Sequence, residues 1–167
     1  MPIRDATPDD APAIAAIYAH HVLHGTASFE EAAPDAGEMA ARIARILDHG
    51  WPWLVAEEDG AFVGYAYAGQ LNPRSGYRYA CENSIYVAHD RAGRGIGTAL
   101  LRRLMADSAA AGFVRMFAII GDSANAGSIA LHAAQGFTHA GTLKSAGYKF
   151  GRWLDVVHMQ RTIGELP

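Results

Sequence analysis

The stretch that most limits what this chain can become runs from Glu82 to Leu101. Ser84 to Val87 is a short β-branched and aromatic run, which predicts a strand. His89 to Gly97 is a turn carrying Gly93, Gly95 and Gly97. Ile96, Leu100, Leu101, Leu104 and Met105 then fall at helical spacing. A strand therefore feeds a glycine-rich loop that opens a helix. The first amides of a helix have no partners inside it, and the dipole there is positive. Glycines let a ligand approach the backbone closely. Such a turn is a cradle for a diphosphate.

Several folds use a cradle of this kind. A P-loop needs Lys and then Ser or Thr after its last glycine, whereas Gly97 is followed by Thr98 and Ala99. A dinucleotide fingerprint needs G-x-G-x-x-G at an early strand-to-helix turn. Thr98 fits its third small position poorly, and the motif lies past mid-chain. The plain alternative is a helix start that merely tolerates glycine. Three glycines before one helix weigh against it.

Composition narrows the class. A chain of 167 residues fits a single domain, 1–167, with a substantial core. Half the residues are hydrophobic and 19% are charged, which is globular. A net charge of −3 gives a nucleic-acid role little support. No apolar run approaches the ~20 residues of a membrane helix. The start, Met1-Pro2-Ile3-Arg4-Asp5, lacks the apolar core of a signal peptide. One cysteine, Cys81, excludes an internal disulfide and a multi-cysteine zinc site, so no metal is expected. A reduced, cytoplasmic setting is the default.

Periodicity and turn residues predict the rest. Ile3–Ala6 reads as a strand, and Thr7-Pro8-Asp9-Asp10 as a helix start, with Gly25 the stop. Thr26 to Pro34 is a loop, and Met39, Ile43, Ile46 and Leu47 mark a second helix closed by Gly50. Trp53–Glu57 and Phe62–Ala68 read as a hairpin around Glu58-Asp59-Gly60. A polar loop, Asn72–Gly76, leads into a long strand, Tyr77–Val87. After the glycine-loop helix come a strand, Val114–Ile120, a helix, Asn125–Gln135, and two strands, Phe137–Tyr148 and Trp153–Arg161. The order is β-α-α-β-β-β-α-β-α-β-β.

Arg91-Ala92-Gly93-Arg94-Gly95-Ile96-Gly97 resembles the coenzyme A loop of the GNAT acetyltransferase superfamily, Q/R-x-x-G-x-G/A. Ala92 stands where that pattern has Gln or Arg, so the cradle rests on backbone. The resemblance extends over nearly the whole chain. Trp53–Glu57, Gly64-Tyr65-Ala66, Glu82–Val87, His132–Phe137 and Lys149–Asp155 are all similar to the phosphinothricin and methionine sulfoximine N-acetyltransferases. The resemblance implies an α+β fold: a mixed, mostly antiparallel sheet of about seven strands flanked by about four helices. It also implies acetyl-CoA as cosubstrate, an amino-acid α-amine as acceptor, and a homodimer.

Residue roles follow from that resemblance and from what acetyl transfer needs. An ammonium has no lone pair, so a base must act. Glu82 is the candidate, two residues before the Ser84–Val87 run, against the plain reading of a solvated carboxylate. His132 stands where many GNAT members have a thiolate-protonating tyrosine, and is assigned acid or positioning duty against a core histidine. Ile85, Tyr86 and Val87 are expected to pair with the pantetheine arm, with the Val87 amide as oxyanion donor. Ala92, Gly93, Arg94, Gly95, Ile96, Gly97 and Thr98 form the expected cofactor loop, with Asn125 and Ser128 on the cofactor arm. For the acceptor, Arg74 and Arg78 offer guanidinium to a carboxylate, and Tyr77, Tyr79 and Phe29 offer apolar walls. The acidic Glu30-Glu31 pair keeps a different cationic acceptor open, a polyamine or a protein N-terminus. So does a non-catalytic acyl-CoA-binding role.

Overall fold

Alternating burial sorts the strands onto two faces of one sheet. In the computed structural model, which describes residues 1–165, Leu54 and Ala56 of β2 (Trp53–Glu58) join one apolar cluster. Their neighbours Trp53 and Val55 join the other. The first cluster packs on α3 (Ile96–Ala110) through Ile96, Leu100, Leu101 and Leu104. The second packs on α1 (Ala11–His24) and α2 (Ala36–Asp48) through Ile14, Tyr18, Met39 and Ile43. That is the period-two pattern of a sheet covered on both sides.

The remaining strands are β1 (Ile3–Asp5), β3 (Ala61–Gln70), β4 (Ala80–Val87), β5 (Arg115–Gly121), β6 (Thr138–Lys149) and β7 (Arg152–Thr162), with α4 (Ala126–Ala134) between β5 and β6. Sheet order is β1-β2-β3-β4-β5-β7-β6. Every pairing is antiparallel except β4 with β5. Asp59 and Gly60 both take positive φ, 52° and 77°, which suits the two-residue β2–β3 turn.

The predicted element order holds; most boundaries move by a residue or two, and one moves further. Tyr77-Arg78-Tyr79 alternates like a strand, yet β4 begins only at Ala80. Tyr77 N donates to Arg74 O (2.9 Å) and Arg78 N to Ser75 O (3.2 Å), closing a 3-10 turn over Ser75–Tyr77. Local turn bonds hold Tyr77 and Arg78, while Tyr79 O accepts from Val114 N (2.8 Å) and Arg115 N (3.0 Å) at the start of β5.

The feature that positions the site lies in the parallel pair. β4 and β5 are in register only from Ala80 opposite Arg115 to Asn83 opposite Ala118. Beyond that point the two strands part. β4 stays on β3 and β5 stays on β7.

Candidate active site

The parting strands form a fork, and the fork encloses a cleft of about 340 Å³. Ser84 to Val87 line one prong, Ala118 to Gly121 the other, and Asn125, Ser128 and His132 of α4 one wall. The β3–β4 register decides which backbone groups face it. Leu71 N donates to Ala80 O, and Ala88 N donates to Val63 O. Even-numbered residues of β4 therefore exchange bonds with β3, and the N–H and C=O groups of Ile85 and Val87 point into the fork. His21 of α1 meets one of them, Nε2 to Val87 O at 2.8 Å.

Glu82 sits at the base of the fork and lines the cleft. Burial pushes its carboxyl above the ordinary carboxylate range. On the next residue, Asn83 Nδ2 donates across the fork to Phe117 O (2.9 Å), while Oδ1 faces His132 Nε2 (3.0 Å). His132 Nδ1 lies 2.8 Å from Ser128 O. The imidazole is 4% exposed and edge-on to Phe137. Burial lowers its pKa, and the Ser128 contact works the other way. Each ring nitrogen thus faces a protein oxygen, and a neutral ring has one N–H to share between them, which suits orientation of Asn83 better than delivery of a proton to a ligand.

The glycine loop divides by role. Gly93 (φ 78°) and Gly95 (φ 81°) need the left-handed region, and a Cβ on either would meet nothing within 4 Å. Gly95 is the N-cap of α3. The amides of Gly95, Ile96, Gly97 and Thr98 donate to no backbone carbonyl among the described residues. Gly97 differs, since a Cβ there would lie 3.2 Å from Leu131 of α4, so its smallness serves helix packing as well. Ile96 buries its side chain in the core and leaves only its amide for a ligand. Ala92 and Arg94 are exposed, and Arg94 and Arg91 both pair with Glu58 at 3.0 Å.

The expected acceptor residues lie elsewhere. Arg74, Tyr77, Arg78 and Tyr79 are exposed on the segment before β4 and do not line the cleft. The Arg78 guanidinium stacks 4.6 Å from the Tyr79 ring centroid and donates to Ser75 O. Phe29 lines a smaller apolar pocket of about 220 Å³, which shares Ala27, Ile119 and Gly121 with the cleft. Sequence reasoning missed His21 and Asn83. A polar residue on a buried stripe must find a partner, and His21 beside Tyr18 was that signal.

The acetyltransferase (GNAT) domain family matches residues 3–158. The chain belongs to the GNAT acetyltransferase family. A phosphinothricin N-acetyltransferase of Alcaligenes faecalis is 54% identical over 161 residues, 96% of this chain and 82% of the relative. An L-methionine sulfoximine/L-methionine sulfone acetyltransferase of Salmonella typhimurium is 40% identical over 165 residues, 99% of this chain and 96% of its own length. Among solved structures, a GNAT superfamily phosphinothricin acetyltransferase of Sinorhizobium meliloti in complex with acetyl-CoA superposes with a TM-score of 0.94. It is 44% identical, covering 98% of this chain and 88% of that one.

For a GNAT enzyme the open amides have an evident use. An acyl-CoA brings a diphosphate and an amide-bearing arm. The free amides at the start of α3 suit the first, and the fork-facing edge of Ile85 and Val87 suits the second. Among the described residues no cluster could hold a metal ion.

Proposed function

We propose that this GNAT enzyme acetylates the α-amine of a small amino acid of the methionine sulfoximine, methionine sulfone or phosphinothricin type, with acetyl-CoA as donor. The observation that carries the reading is the fork itself. A desolvated carboxylate, Glu82, stands at the base of an open strand edge, and the chain leaving the far end of that edge runs into the helix-start cradle. Acetyl-CoA supplies, when bound, a thioester carbonyl open to direct attack by an amine. Gly93, Gly95, Ile96, Gly97 and Thr98 hold its phosphates through backbone, with Ala92 and Arg94 at the rim. Ile85, Tyr86 and Val87 extend the sheet along its arm, and Asn125 and Ser128 flank it from α4.

Glu82 takes the proton from the acceptor ammonium. Its raised pKa makes it a stronger base than an exposed carboxylate. The Val87 amide offers a donor to the carbonyl oxygen. His132 holds Asn83, and through it the fork, in register. Arg74, Tyr77, Arg78 and Tyr79 stay outside the cleft in the single chain, so the acceptor is read as walled by Phe29 from the adjoining pocket. A polycationic acceptor has less to attract it, because Arg42 binds the Glu30 carboxylate with both Nη atoms, at 3.1 and 2.7 Å.

The reading extends to the cell. Acetylation removes a cationic amine, so the enzyme would confer resistance to inhibitors of this class. A cytoplasmic setting, where acetyl-CoA is available, suits a buried free Cys81. A homodimer is supported by the exposure of Leu143, Tyr148, Phe150 and Trp153 on the β6–β7 hairpin. The test is thiol release from acetyl-CoA against methionine sulfoximine, methionine sulfone, phosphinothricin, common amino acids and polyamines. Turnover confined to polyamines, or absent throughout, overturns the reading.

A further inference from the structure

Lys149, the last residue of β6, is 1% exposed. Lysine is almost never fully buried unless its charge is met. Here the ammonium donates to three backbone carbonyls: Val22 O at 2.7 Å, Gly25 O at 2.9 Å and Ser28 O at 2.7 Å. Three donors meet three acceptors, so none is left over. Val22 lies in the last turn of α1, where carbonyls lack helical partners and the dipole is negative. Burial lowers the Lys149 pKa, and the carboxylates of Glu31 and Glu30 oppose that.

The segment so gripped, residues 25–30, reaches the cleft through Ala27. Two more contacts fasten it. Thr26 Oγ1 donates to Asp122 Oδ2 at 2.9 Å, and the same carboxylate oxygen accepts from Arg152 at 2.9 Å. The Phe29 ring lies where side chains on Gly121 and Gly147 would stand. A Cβ on Gly147 would come within 2.6 Å of Phe29 Cδ2, and one on Gly121 within 2.9 Å of Cε1. The run Lys149–Arg152 therefore clamps this segment from both sides of the β6–β7 turn. The cofactor cradle is on another part of the fold, at the start of α3.

We propose that Lys149 is a positioning residue for the acceptor: its ammonium fixes segment 25–30, so that Ala27 and Phe29 wall the acceptor side of the cleft. The proposal deepens the amino-acid acetyltransferase reading and rests on it. Lys149→Met removes the three donors at similar volume. The acceptor KM is expected to rise about tenfold or more, while the acetyl-CoA KM stays within about twofold. Hydrogen exchange at the amides of residues 25–30 is expected to speed up about tenfold or more, with β5 unchanged. Gly147→Ala, which displaces Phe29 without touching Lys149, is expected to give the same acceptor-only rise. An unchanged acceptor KM, or an equal loss for both substrates, overturns the proposal. If Lys149→Met does not fold, Gly147→Ala decides it. If the wild type acetylates no amino acid, the functional reading fails, and exchange at residues 25–30 still judges the clamp.

Discussion

Glu82 carries two opposite consequences of one burial. Its carboxyl holds the proton more tightly in the folded chain than in the unfolded one. Its folding contribution is therefore most favourable below the unfolded value and is lost as pH rises through the folded one. Glu82→Gln is expected to lower kcat about 10²–10⁴-fold. The same variant is expected to melt above the wild type near pH 8, with the gap closing toward about pH 4. A melting difference of the other sign would remove the burial argument. His132 makes a different prediction. A neutral His132 has one N–H to give, so His132→Ala strands one of the two oxygens it faces, Ser128 O or Asn83 Oδ1, at about 1–3 kcal/mol. Its proportional loss of turnover is expected to be the same for acetyl-CoA and for a thioester of a more acidic thiol. A smaller loss with the better leaving group would restore it as the acid. Both residues were legible as candidates from their motifs. Lys149 was legible only as part of a motif, because nothing local tells a surface ammonium from one caged by residues 121 to 127 positions away.

At the scale of elements, glycine punctuation was a good guide. Gly25, Gly50, Gly112 and Gly136 all fall within two positions of a helix end. Asn125 caps α4, its side chain accepting from Ser128 N at 3.2 Å. The start of β4 was misread because an alternating aromatic and basic run has strand periodicity whether or not a neighbour is there to pair with it. The loop glycines separate by experiment. Gly95→Ala forces a side chain into the left-handed region, costing about 1–2 kcal/mol. The acetyl-CoA KM is expected to rise about tenfold. Gly97→Ala presses on Leu131 instead, and is expected to show first as a lower melting temperature. Equal effects of the two on KM would contradict this division of labour.

For the molecule as a whole, fork geometry could not be read from the chain, because Asn83 and Phe117, which close it, are 34 residues apart. The exposed hairpin aromatics were likewise invisible, since burial depends on the assembled sheet. If they bury against a second copy, Leu143→Lys with Trp153→Lys is expected to shift the sedimentation of the enzyme from dimer to monomer. A wild type that sediments as a monomer rejects the dimer directly. Saturation with acetyl-CoA at about 100 times its Kd is expected to add about 2.7 kcal/mol, or about 5–10 °C in Tm.

The two halves of the sheet are joined by four residue pairs, Ala80–Asn83 with Arg115–Ala118. A cosubstrate lying along Ile85 and Val87 would act as the missing length of strand, so the enzyme is whole only while supplied. A cell short of acetyl-CoA would then hold a softer protein, more open to proteases, and its capacity to acetylate would decline with its donor.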